Sequence, residues 1–88
     1  MKLILAILSD QDTEPVSQAL TGSEFRVTRI ASTGGLFRRG STTLLVGVED
    51  EKVDQAIGIL RQSLATPVEA GAKRATLFVV NVENFTQL

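Results

Sequence analysis

Phe25-Arg-Val-Thr-Arg-Ile-Ala-Ser-Thr-Gly-Gly-Leu-Phe-Arg-Arg-Gly-Ser-Thr-Thr-Leu-Leu-Val-Gly-Val48 is the stretch that decides the fold class. Residues 25–31 read as a strand with Arg26, Thr28 and Ile30 on one face. Residues 42–48 read as a second strand, rich in β-branched side chains, with Gly47 permitting a close approach from outside. The two form an antiparallel pair. A plain hairpin needs two to five turn residues, whereas this connection has about nine, and loops of that length are usually functional. It supplies backbone N–H groups opened by glycine, guanidinium forks, hydroxyls and the apolar pair Leu36-Phe37. Those are parts for a phosphorylated ligand with a flat apolar portion, such as a nucleotide. The plain alternative is a solvated mobile loop.

Working outward, residues 2–8 are an unbroken apolar run after Lys2, the pattern of a central strand covered on both faces. A turn over residues 9–13 lets Asp12 or Thr13 cap a helix that tolerates Pro15 in its first turn. Val16, Ala19 and Leu20 form its inner stripe and Gly22 ends it near C′. Beyond the central pair, Asp50 is placed to cap a second helix. Val53, Ala56, Ile57, Leu60 and Leu64 give that helix a clear apolar stripe. Residues 66–74 read as a loop, 75–82 as the last strand and 83–88 as a tail.

The order is therefore βαββαβ, an α+β ferredoxin-like arrangement with two helices on one face of a four-stranded antiparallel sheet. Strands such as Ile4-Leu5-Ala6-Ile7 are apolar on both sides, and two helices cover one face only. The second face predicts self-association through the sheets.

With 88 residues the chain holds one small domain and no second core. The 43% hydrophobic and 22% charged content is that of a soluble globular chain. Cysteine is absent, which removes disulfides and thiolate chemistry. Histidine is absent too, and with it the commonest general base and metal ligand. An enzyme would have to run on carboxylates, hydroxyls, lysine and arginine, so the expectation is a protein without catalytic activity. Residues 1–8 lack a signal-peptide core and cleavage site, and no apolar run reaches a membrane span, so a cytoplasmic location is expected. Net charge is −1. Between Glu24 and Glu49, however, Arg26, Arg29, Arg38 and Arg39 stand without one acidic residue. A positive patch on an acidic protein suits a compact anion rather than nucleic acid.

Four chemistries fail on this pattern. Gly35-Leu-Phe-Arg-Arg-Gly-Ser-Thr42 approaches a phosphate-binding loop, but Ser41 replaces the lysine and a strand, not a helix, follows. An RNA-recognition domain would need base-stacking aromatics that residues 42–48 lack. An acylphosphatase-like site would want an arginine where Ser9-Asp-Gln-Asp12 offers acids. Asp10, Asp12 and Glu14 are better explained by the preference of acids for a helix start than by a metal.

Residues Phe25-Arg-Val-Thr-Arg-Ile-Ala-Ser-Thr-Gly-Gly35, with Arg38-x-Gly40, Thr42-Thr43 and Gly47-Val-Glu-Asp50, resemble the PII-like cyclic-di-AMP receptor family of trimeric bacterial cytosolic signal proteins. The likeness extends from Lys2 to Phe85-Thr-Gln-Leu88. It implies one PII-like domain over residues 1–88 and a homotrimer whose sheets line a central core. It further implies cyclic-di-AMP, rather than any other cofactor, in clefts between subunits. The glycine-rich loop 32–41 would be the ligand-responsive element. The family's ligand residues carry over to Arg26 and Thr28 on the second strand, to Gly35, Leu36 and Phe37 in the loop, and to Ser41, Gly47 and the penultimate Gln87. Arg26 suits a phosphate, Phe37 an adenine face, and Thr28, Ser41 and Gln87 base edges or ribose.

The chain departs from the family in three places. Leu36-Phe37 reverses the usual Phe-Leu, Ser41 replaces asparagine, and the loop at 66–74 is much shorter than the family's. The resemblance thus implies a signal-transduction receptor with a downstream protein partner. The alternative is a trimer of the same scaffold that binds another nucleotide or acts through protein contacts alone.

Overall fold

The computed structural model of the chain describes residues 1–31, 40–64, 75–86 and 88. They form β1 (Lys2–Ser9), α1 (Asp10–Gly22), β2 (Arg26–Ala31) and β3 (Ser41–Val48). A 3₁₀ turn (Asp50–Lys52) leads into α2 (Val53–Gln62), and β4 (Ala75–Asn81) follows. The sheet order is β2-β3-β1-β4 with every neighbouring pair antiparallel. This is the expected ferredoxin-like α+β arrangement, with β1 in the interior and β2 and β4 at the edges.

Register divides the side chains between two faces. Ile4, Ala6 and Leu8 of β1 and Leu44, Val46 and Val48 of β3 are buried with Val16 and Leu20 of α1 and Ala56 and Leu60 of α2. These residues make the core; Val53 and Ile57 of α2 pack on it, as does Leu64, expected in the helical stripe but placed after the helix end at Gln62. The opposite face carries Leu3, Leu5 and Ile7, paired with Gly47, Leu45 and Thr43 on one side and with Val80, Phe78 and Thr76 on the other. Arg26, Thr28 and Ile30 of β2 continue this face at Gly47, Leu45 and Thr43. Ile30, Phe78 and Val80 are exposed there, so the face expected to lack a covering helix is present and apolar.

Helix α1 starts earlier than the sequence predicts. Ser9 is its N-cap, Asp10 its first residue, and Asp12 and Thr13, the predicted caps, are buried within it. The cause is tertiary. The Asp10 N–H donates to the Gly40 carbonyl at 2.8 Å, and Thr42 Oγ1 donates to Asp10 Oδ1 at 2.6 Å. Thr13 Oγ1 then bonds back to the Ser9 carbonyl at 3.0 Å, and Ser9 Oγ donates to Asp12 Oδ2 at 3.1 Å. The start of α1 is thus tied to the start of β3. Asp10→Ala is expected to lower stability by about 1 kcal/mol, the net value of a lost hydrogen bond, in urea unfolding.

The end of α1 also differs from expectation. Gly22 remains helical, and the left-handed position falls on Glu24 with φ 70°. Glu24 N–H reaches the Thr21 carbonyl at 2.9 Å and Phe25 N–H the Leu20 carbonyl at 3.0 Å. This is a Schellman cap with glutamate where glycine is cheapest, closed by buried Leu20 and Phe25. Glu24→Gly is therefore expected to raise stability by about 1 kcal/mol, the cost of a left-handed non-glycine residue. A urea midpoint that falls instead would show that the glutamate side chain holds the cap.

One exposed ion pair joins α1 to β2. Arg29 Nη2 donates to Glu14 Oε2 at 2.8 Å. That bond, then the one from Gln18, holds the Glu14 carboxyl below its ordinary pKa. A depressed carboxyl stabilises the fold above its unfolded pKa and loses that contribution as pH falls through the folded value. Both groups are on the surface, so the effect is small and screened by salt. Glu14→Gln is expected to shift the melting temperature by no more than a few degrees at neutral pH. In acid the variant and the parent should converge.

Candidate nucleotide-binding groove

Antiparallel pairing brings the start of β1, the start of β2, the end of β3 and the residues after β4 to one end of the sheet. There they enclose a groove of about 750 Å³, within the range of small-molecule sites. Arg26, Thr28 and Gly47, three of the residues singled out by sequence, line it together. Arg26 and Thr28 are exposed and two residues apart on β2, so strand alternation puts both on the face away from the helices. Arg26 lies opposite Gly47 and Thr28 opposite Leu45 across the ladder. The missing side chain at Gly47 therefore leaves space beside the guanidinium-bearing residue, into which the Met1 side chain reaches.

The charges around the groove are mixed. Arg26, Lys2 and Lys52 meet Glu24 and Glu49 on its lining. Lys2 Nζ donates to Asn81 Oδ1. Arg26 and Lys52 make no ion pair among the described residues. Two cations thus remain available for an anion. Asp50, next to the lining residue Glu49, accepts from the Met1 ammonium at 3.0 Å, and this bond holds its carboxyl below the ordinary value.

Lys52 and the tail residues Asn84, Phe85 and Thr86 also line the groove, and sequence reasoning gave none of these four a site role. The signal for the tail was available. β4 runs antiparallel to β1, so whatever follows Asn81 must emerge beside the start of β1, and Val82 N–H indeed donates to the Met1 carbonyl at 3.0 Å. Phe85 is 63% exposed and brings an aromatic side chain to the lining of the groove.

Ser41 stands elsewhere. It opens β3 opposite Ser9, half-buried, and does not line the groove. Six strand steps separate it from Gly47, roughly 20 Å. Gly35, Leu36, Phe37 and Gln87 lie outside the described residues.

The carboxylates considered for a metal have other employment: Asp10 with Thr42, Asp12 with Ser9 and Glu14 with Arg29. Among the described residues no cluster of three or more potential ligands could hold a metal ion, and no helix is long and apolar enough to cross a membrane.

Comparison with known proteins agrees with this architecture. A functionally unknown protein from Pediococcus pentosaceus, solved by crystallography, is 27% identical and superposes with a TM-score of 0.77. The match covers 99% of this chain and 96% of that one. A family model described as cyclic-di-AMP receptor matches residues 1–66, and the segment 66–74 expected to be a loop lies outside the described residues. The matched span holds β1 to α2, and with them Arg26, Thr28, Ser41 and Gly47. On that match, the chain belongs to the cyclic-di-AMP receptor family.

Proposed function

We propose that the protein is a non-enzymatic, PII-like signal-transduction receptor that binds cyclic-di-AMP in clefts between the subunits of a homotrimer. The observation that carries this reading is the convergence of Arg26, Thr28 and Gly47 in one groove beside an uncommitted lysine. Arg26 takes a phosphate through its guanidinium fork. Thr28 supplies a hydroxyl that both donates and accepts, and Gly47 gives a base room to approach the strand. Residues 1–88 act as one domain.

The placement of Ser41 supports a site shared between subunits. Ala31 and Ser41, which bound the connecting segment, sit at the end of the sheet remote from the groove. One ligand that touches Arg26 and Ser41 together takes them from two neighbouring copies. The apolar sheet face supports the trimer, because Leu5, Leu45 and Phe78 form one row across it with no helix above. In this reading Gly35, Leu36, Phe37 and Gln87 complete the cleft, and the loop 32–41 responds to ligand by presenting a changed surface to a downstream protein.

Calorimetric titration with cyclic-di-AMP tests the proposal, with cyclic-di-GMP and ATP as controls. Selective binding near one ligand per subunit is the expected result. Absence of heat at two temperatures, with the protein folded, would leave a family scaffold without the family's ligand.

A further inference from the structure

Gly47 and Met1 share one region of the groove. A Cβ built on Gly47 would lie 2.9 Å from the Met1 methyl carbon Cε, closer than such contacts permit. The register explains the encounter. Leu3 stands opposite Gly47 on the open sheet face, and Met1, two residues earlier, points to that same face. The backbone at Met1 is fixed, since its carbonyl accepts from Val82 N–H at 3.0 Å. Its side chain is 40% exposed and has three rotatable bonds, so it can change place without disturbing the strand.

The glycine is informative here for its missing side chain. Its φ lies outside the left-handed region, so backbone conformation does not demand glycine. A strand glycine is mildly unfavourable, and what it provides at this position is space. Met1 occupies that space beside Arg26 and Thr28. The aromatic Phe25 is buried in the core and the exposed Phe85 belongs to the tail part of the lining, so the Met1 thioether is the soft, polarisable group set against Gly47.

We propose that Met1 is a further ligand-contacting residue: a purine enters over Gly47, and the Met1 thioether swings onto its face as a cap. This rests on the nucleotide-binding reading above and adds a contact of the sulfur–aromatic kind to it.

Met1 is the only methionine in the chain, so methyl-¹³C-methionine labelling gives a single resonance to follow. Titration with cyclic-di-AMP is expected to move that resonance upfield under the purine ring current. It should also produce a nuclear Overhauser contact between the methyl and the adenine protons. Replacement of methionine by norleucine, which keeps the shape and removes the sulfur, should weaken binding by about two- to ten-fold. Calorimetric binding with an unmoved methyl signal and no such contact would overturn the role of Met1 while leaving the receptor reading intact. Absence of binding by calorimetry on the same sample would overturn both.

Discussion

Arg26→Ala is expected to weaken cyclic-di-AMP binding by about 10- to 150-fold, the worth of one charge-assisted hydrogen bond. Arg29→Ala should leave it unchanged. The two arginines are three residues apart on one strand, so they point to opposite faces. Arg26 lines the groove without an ion pair among the described residues, whereas Arg29 is engaged with Glu14 on the helix side. A charge effect acting at long range would weaken both variants alike. A contact effect separates them, and the separation should persist when salt is raised, because a direct phosphate contact is screened less than a distant field.

The same variant can test whether the cleft joins two subunits. An Arg26→Ala subunit keeps its loop, and a Phe37→Ala subunit keeps its Arg26. If each cleft takes Arg26 from one copy and Phe37 from the next, refolding the two inactive variants together restores about one cleft in four. If both residues come from one subunit, every cleft in the mixture carries a defect and nothing is recovered. Titration of the mixture against each variant alone decides the matter.

Much of this architecture was legible in the chain because it depends on periodicity. The apolar run at residues 2–8 has no polar alternation, and β1 lies in the sheet interior between two strands. The spacing of Val53, Ala56, Ile57 and Leu60 marked the face that α2 turns to the core, while Leu64, the last of the expected stripe, packs on the core from beyond the helix end. Helix termini were less legible, for a physical reason. The start of α1 is fixed by the Gly40 carbonyl, thirty residues away from Asp10, and no local rule for capping residues contains that partner. The left-handed cap fell on Glu24 rather than Gly22 because burial of Phe25 against Leu20 sets the turn. The groove was half legible. Alternation placed Arg26 and Thr28 on one face, but the tail and the N-terminal residue joined them only once β4 was paired with β1.

If the proposed trimer assembles through the open face of the sheet, Leu5→Glu is expected to convert it to a folded monomer, read as a threefold fall in mass by light scattering. Leu5 is the centre of the open face, with Leu45 on one side and Phe78 on the other. In a trimer assembled through that face the substitution buries three carboxylates near one axis. Each carries a desolvation penalty of several kcal/mol, and all have the same sign. The fold itself should survive, because the substituted side chain points away from Ile4, Ala6 and Leu8, which pack against the helices. Far-UV dichroism should therefore remain that of the parent while assembly is lost. Cyclic-di-AMP binding should be lost with it, although Arg26, Thr28 and Gly47 are all untouched. Such an outcome would tie the ligand to the assembled state, since a site complete within one subunit would continue to bind. An unchanged mass would instead place the interface elsewhere, and the apolar row across β3, β1 and β4 would then need another covering partner.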